Sequence, residues 1–186
     1  MDINGDGKIN DDDQVPIGYS NFPEIMYGIS LGGSYKNLDI SLLFQGATHV
    51  SNMPSRRIMR GFYEYTGANR DLLKSWSYER FVNNQKIVYP RYGVNGVGHN
   101  YLTSTYWLED ASYLRLKNVE VGYTFRQESL KKAGIGSIRI YVNGSNLLTW
   151  TDMLPGQDPE VANAGVTNSE PYPVTRVFNF GLNVNF

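Results

Sequence analysis

The sequence predicts an all-β, antiparallel fold of about five strands for this chain of 186 residues. Apolar residues occupy every second position in several segments, most regularly over residues 177–186, and a period of two is typical of strands. Tyr, Phe and Gly are abundant, with 14, 8 and 19 residues, which favours strands, tight turns and bulges. No segment has a sustained helical period, so we expect no long helix.

The first two strands are predicted to form a hairpin over residues 25–46, joined by a two-residue turn at Lys36 and Asn37. Gly and Ser alternate with the apolar positions of the first strand. Leu43 breaks the alternation of the second strand, and we expect it on the polar face. The apolar positions of the hairpin are Ile25, Tyr27, Ile29, Leu31, Gly33, Tyr35, Leu38, Ile40, Leu42 and Phe44.

The rest of the chain is predicted to be a long loop over residues 47–106, followed by three strands within residues 107–186. The alternation is clearest over 119–125, 138–142 and 174–186. The loop has no sustained period, and such a long irregular connection is expected mainly where loops are functional. The last strand is long enough to cross a bilayer, which takes roughly 9–11 tilted residues.

Two packings explain strands with one apolar and one polar face. In a β-sandwich the apolar faces pack together inside, whereas in a transmembrane barrel they contact lipid and the polar faces line the lumen. Three features favour the barrel. The polar faces carry Gly, Ser and Asn rather than Lys and Glu, and short connections at 36–37 and 126–136 alternate with long ones, as in outer-membrane barrels. Aromatic residues also lie at strand ends, as in membrane girdles: Tyr27, Tyr35, Tyr123, Phe125, Trp150 and Phe186.

The segment "DINGDGKINDDD", residues 2–13, matches the pattern of a calcium-binding loop. The pattern supplies side-chain oxygens early in the loop, a glycine at the sharp turn and a carboxylate at its end. Asp13 replaces the usual bidentate Glu, so we expect modest affinity, and an Asp/Asn/Gly turn without an ion is the alternative. The predicted calcium ligands are Asp2, Asn4, Asp6, the carbonyl of Lys8 and Asp13.

Composition argues against several other classes of function. The formal net charge is -1, so the chain lacks the basic balance expected of a nucleic-acid-binding protein. It contains no cysteine, which excludes disulfides and thiolate chemistry. The adjacent carboxylates of Glu109 and Asp110 would point to opposite faces of a strand, so catalysis by a carboxylate pair is not expected there.

Several ordered motifs resemble the C-terminal part of SusC/RagA-type TonB-dependent outer-membrane transporters. They are "YWLEDASYLRLKNVEVGYTF", "IRIYVNGSNLLTWT", "GQDPE" and "YPVTRVFNFGLNVNF", and the first 46 residues resemble the same family's calcium-like loop and following hairpin. The resemblance covers nearly the whole chain and is weakest over residues 50–102. The resemblance implies that residues 1–24 are an extracellular loop and that residues 25–186 are the C-terminal strands of an antiparallel transmembrane β-barrel segment.

The resemblance implies import of glycan or peptide oligomers across the outer membrane of a Gram-negative bacterium. Such transporters work with a SusD-like surface lipoprotein and with TonB, and their barrel contacts outer-membrane lipid. The sequence contains no plug, no TonB-contacting segment and no signal peptide, and five strands cannot close a barrel, so we expect a fragment. The predicted lumen-facing residues are Ser30, Asp39, Gln45, Glu120, Arg139, Asn143, Asn179 and Asn183.

Outer-loop aromatic residues are candidates for stacking on sugars or contacting the partner protein, namely Tyr63, Tyr65, Trp76, Tyr89 and Tyr92. Two other classes of function remain open from the sequence. A secreted, calcium-dependent, carbohydrate-binding β-sandwich would share the loop, the aromatic residues and the strands. A polysaccharide-degrading enzyme would need a carboxylate pair; Glu120 and Asp39 lie on the polar faces, but the sequence does not fix their separation.

Overall fold

The computed structural model describes residues 2–63, 67–68, 70–93, 98–126, 128–154, 156–160 and 172–186, without the side chains of residues 11, 71, 129 and 131. Its seven strands are β1 Ile25–Tyr35, β2 Leu38–Thr48, β3 Ser51–Asn52, β4 Glu109–Asp110, β5 Tyr113–Phe125, β6 Ser137–Thr151 and β7 Val177–Asn185. Three short helices are α1 Arg56–Met59, α2 Tyr78–Val82 and α3 Glu128–Lys132, and 3-10 turns lie at Asp11–Asp13, Arg70–Lys74 and Gly98–Tyr101.

Five of the strands form one antiparallel sheet in the order β1-β2-β5-β6-β7. Each strand therefore pairs with the next long strand along the chain. The two-residue strands β3 and β4 pair separately within the connection between β2 and β5. The predicted all-β antiparallel fold is confirmed.

The connections differ in length between the two ends of the strands. The two-residue turn after β1 and the connection that contains α3 after β5 lie at one end, where Tyr35 pairs with Leu38 and Ile138 with Val184. The connections over 49–112 and 152–176 lie at the opposite end. This is the alternation predicted from the sequence.

β5 and β6 are longer than the sequence pattern indicated, because a bulge interrupts their alternation. Against β2, Leu43 pairs with Asn118 and Phe44 with Leu116, so Lys117 is an extra residue in β5. Against β6, Asn118 pairs with Ser145 and Leu116 with Leu148, so Asn146 and Leu147 lie opposite Lys117 and β6 is bulged as well. A bulge shifts the phase of the side chains by one position. Arg115 before the bulge therefore shares the face of Glu120 after it, and a strict period of two misses the start of the strand.

One face of the sheet is apolar and uncovered. Phe180 pairs with Val142, Val142 with Val121 and Val121 with Ile40, which places these four side chains in a row across the sheet. Phe180 is 81% exposed and Val121 is 38% exposed. A sandwich would bury both, and the residues that the structure describes form no second long-stranded layer against this face.

The buried apolar residues lie in the connections and where they meet the sheet. Met59, Tyr89, Tyr101 and Trp107 form one cluster within the connection between β2 and β5. A second cluster contains Val50, Ala111 and Met153 and joins the two long connections. The predicted long loop over 47–106 is thus a packed body rather than an extended loop. In the described part of the chain, no helix is long and apolar enough to cross a membrane.

Candidate functional site

The polar face of the sheet brings together side chains from all five of its strands. Directly paired residues point to the same side of a sheet, so the register aligns Glu120 with Asn143 and Asn143 with Asn179. Leu43 pairs with Asn118 and also lies on this face, as predicted. The register places all eight predicted lumen-facing residues on the polar face: Ser30, Asp39, Gln45, Glu120, Arg139, Asn143, Asn179 and Asn183.

Arg139 is the centre of an ion-pair network on this face. Its Nε donates to Asp39 Oδ1 at 3.1 Å, and its Nη2 donates to Asp39 Oδ2 and, at 2.8 Å, to Glu120 Oε1. The guanidinium reaches from β6 over β5 to Asp39 on β2 because residue 122 is glycine. A Cβ there would overlap the guanidinium.

The network continues to the last strand through amides. Asn143 Nδ2 lies 3.5 Å from Glu120 Oε2, and Asn179 Nδ2 donates to Asn143 Oδ1 at 2.8 Å. The Tyr141 ring lies over Gly181, with the Arg139 guanidinium 5.0 Å from the ring centroid. The result is a fixed polar wall of alternating donors and acceptors with two carboxylates and one cation.

A second ion cluster lies near the long connections. Arg115 is 2% exposed and donates to Thr149 Oγ1, Asp158 Oδ1 and Glu160 Oε2 at 3.0, 2.6 and 2.6 Å. Lys117 Nζ also donates to Glu160, at 2.6 and 2.8 Å. Removing one partner of a buried ion pair typically costs about 3–5 kcal/mol, since the other charge is left desolvated. The sequence pattern indicates no role for these residues, because the bulge hides the face of Arg115 and its acidic partners lie more than 40 residues away.

The predicted stacking residues occupy different environments. Trp76 is 38% exposed and remains available for a ligand, whereas Tyr89 is 1% exposed and packs against Trp107. Tyr89 is therefore a packing residue of the connection. Tyr63 lies 5.2 Å from the Arg60 guanidinium, and Tyr92 donates to the Gly61 carbonyl. The prediction for Tyr65 lies outside the described residues.

The predicted calcium loop is curled by its own side chains. Asp2 accepts from the backbone N–H groups of Gly5 and Gly7 at 2.7 and 2.9 Å, and Asp13 accepts from Ile3 and Asn10 at 2.7 and 2.9 Å. The hydrogen bonds from Asn10 and Ile3 hold the pKa of Asp13 below its ordinary value.

Each of the other two predicted side-chain ligands accepts from the backbone two residues further on, Asn4 from Asp6 and Asp6 from Lys8. No group of three or more His, Cys, Asp or Glu side chains is placed to hold a metal anywhere in the described part of the chain. The oxygen-rich donor set, with its amide and carbonyl oxygens, still suits a hard cation. Calcium binding stays a prediction.

The segment before β1 attaches at the edge of the long connections. Tyr19 N donates to Ser51 Oγ at 3.0 Å, and Ser51 N donates to the Ser20 carbonyl. The Tyr19 ring stacks on His49 with centroids 4.6 Å apart. The segment just before β1 and both long connections thus lie at the same ends of the strands.

An antiparallel sheet with an uncovered apolar face, a networked polar face and alternating connection lengths is a transmembrane β-barrel segment. No family model matches the chain. It is 33% identical over 197 residues to TonB-dependent receptor P3 of Formosa agariphila, covering 100% of this chain and 18% of that protein. It is 26% identical over 193 residues to TonB-dependent receptor SusC of Bacteroides thetaiotaomicron, covering 100% and 17%.

A solved structure of the RagAB peptide transporter matches with a TM-score of 0.71 and 28% identity, over 96% of this chain and 19% of that chain. The chain belongs to the SusC/RagA family of TonB-dependent receptors, as the sequence motifs predicted. It spans about a fifth of the length of the relatives that it matches.

Proposed function

We propose that the chain forms part of the wall of an outer-membrane importer of glycan or peptide oligomers in a Gram-negative bacterium. The observation that carries the proposal is the division of the sheet into an exposed apolar face and a polar face with fixed ion pairs. In this arrangement the apolar face contacts outer-membrane lipid and the polar face lines the lumen. The importer works with a SusD-like surface lipoprotein and takes energy through TonB.

The polar face suits an oligomeric, hydroxyl- or amide-rich substrate. Its amides and carboxylates are held at fixed spacing by the Arg139 network, so a passing substrate exchanges hydrogen bonds with water and wall groups. A lone charged site would hold a substrate too tightly to release it. In this network the cation is already paired with two carboxylates, which favours weak, repeated contacts with a substrate.

The outer connections supply candidate contacts for capture. Trp76 is exposed on the connection between β2 and β5, and an aromatic face stacks on sugar rings or peptide side chains. The similarity to the RagAB peptide transporter supports the peptide class.

Uptake by the intact receptor that contains this chain tests the proposal. Cells lacking the receptor should lose growth on one class of oligomer as sole nutrient, and growth should return with the receptor supplied on a plasmid. Loss of TonB should abolish uptake in the parent strain and in the complemented strain. Parallel cultures on glycan and peptide oligomers identify the class. Unchanged growth of the receptor-deficient strain on every oligomer tested would overturn the proposal.

A further inference from the structure

The turn at residues 156–160, "GQDPE", touches three parts of the fold. Gly156 adopts φ +93°, a backbone conformation that glycine allows and other residues strain to reach. The turn thereby directs Gln157 and Asp158 to different neighbours. It belongs to the connection between β6 and β7, and nothing in the proposed transport role assigns it a task.

On one side, the turn is held to the wall strand β5. Asp158 and Glu160 accept from Arg115, and Glu160 also accepts from Lys117. Asp158 Oδ2 accepts the backbone N–H of Val174, the segment that leads into β7, at 3.1 Å. The side chains of Arg115 and Asp158 are 2% and 6% exposed, so neither charge can be rehydrated without moving the turn.

On the other side, the turn is held to the connection between β2 and β5. Gln157 Nε2 donates to both oxygens of Glu109 at 3.0 and 2.9 Å, and Asn52 Nδ2 donates to Gln157 Oε1 at 3.0 Å and to Glu109 Oε2 at 3.1 Å. Leu154 N also donates to Glu109, at 3.0 Å. Asn52 is 1% exposed, so breaking these hydrogen bonds leaves buried polar groups without partners.

We propose that the 156–160 turn is a clamp that locks the two long connections and β5 into one rigid rim, so that neither connection moves without the other. The physical reason is that each link ends in a buried charge or amide, and separating any one part leaves its partner desolvated and unpaired. The clamp is independent of the proposed import activity, because it is a property of the folded rim.

Hydrogen exchange on the purified, full-length receptor tests the clamp. Arg115→Met should speed exchange at least tenfold, the change produced by ~1.4 kcal/mol in an opening equilibrium, in amides of residues 156–160 and also of 50–52. Arg115 donates no side-chain hydrogen bond to residues 50–52, so their response reports transmission through the turn. Faster exchange in 156–160 alone would overturn the proposal.

Arg139→Met is the matched control, since Arg139 also bridges two carboxylates on the polar face and contacts neither connection. It should leave exchange at both segments unchanged, and an equal rise would show general loosening instead of a clamp. Gln157→Leu removes the hydrogen bonds that join the turn to Glu109 and Asn52 and leaves the Leu154–Glu109 bond in place. Adding Arg115→Met to it should therefore affect residues 50–52 less than Arg115→Met alone does. Additive effects of the two substitutions would contradict the clamp. Should Arg115→Met fail to assemble, Glu160→Gln keeps the shape of its side chain and should give the same pattern with a smaller rise.

Discussion

Gly122 shows how a single residue decides which contacts the polar face can make. Its missing side chain leaves the path along which the Arg139 guanidinium crosses β5 to Asp39. The alternation of the sequence was enough to place Arg139, Asp39 and Glu120 on one face. It could not give their contacts, because Arg139 and Asp39 lie 100 residues apart and meet only once the strand order is fixed.

Arg115 was missed for a different physical reason. Arg115 lies before the bulge, where the alternation of apolar and polar residues is shifted by one position relative to the rest of β5. Both of its acidic partners lie in a connection that has no sustained period. A signal was present in the motif "GQDPE", whose Asp and Glu are placed two residues apart. Their pairing with Arg115 depends on tertiary folding and cannot be derived from spacing.

The calcium prediction can be tested by substitutions at two neighbouring carboxylates, Asp12 and Asp13. Asp13→Asn should weaken calcium binding to the receptor about tenfold, because it removes a charged oxygen from the predicted ligand set. Isothermal titration with calcium measures the change. Asp12→Asn is the control, since Asp12 is exposed and outside the ligand set, and its affinity should stay within about twofold. Equal affinities for the two variants and the parent would contradict a calcium site in residues 2–13.

Among the elements, β7 separates its two faces most clearly. Phe178, Phe180 and Leu182 lie on the exposed apolar face, and Asn179 pairs with Asn143 on the polar face. The sequence was sufficient to predict this strand because no bulge interrupts its alternation. Bulges at Lys117 in β5 and at Asn146 and Leu147 in β6 conceal the same pattern, which is why the predicted strands were too short.

Adjacent substitutions in β7 test which face meets lipid. Phe180→Arg should block assembly of the receptor in the outer membrane, because a lipid-facing Arg near the bilayer midplane costs about 2–4 kcal/mol. Asn179→Arg, one position away on the polar face, should assemble normally. Heat-modifiable migration of the membrane-extracted receptor reports folding. Normal assembly of Phe180→Arg would sink the lipid-facing assignment.

Considered as a whole, the described chain has no interior beneath its sheet. Its buried clusters lie in and beside the connections, while the apolar face and the outer edges of β1 and β7 are uncovered. Exposed strand edges and large apolar patches drive association between chains. The overall class was predictable because alternation, aromatic placement and connection lengths agreed, whereas the packed body of the long connection has no periodic signal.

The chain expressed alone should therefore aggregate in detergent-free buffer and disperse when a mild detergent covers the apolar face. Sedimentation velocity with and without detergent measures this. A variant with Phe178, Phe180 and Leu182 changed to Ser reduces the exposed apolar area and should aggregate less. A soluble, compact monomer of the unchanged chain would contradict the uncovered face.

The packed body around Trp107 has a consequence for biogenesis under the proposed orientation. It sits on the outer rim, while the strands enter from the periplasm, so this segment crosses the bilayer before it reaches its final place. A preformed globule with buried tyrosines could not pass between closing strands without a wide opening. In that orientation, Trp107 and its neighbours acquire their contacts only after this segment has been delivered to the cell exterior.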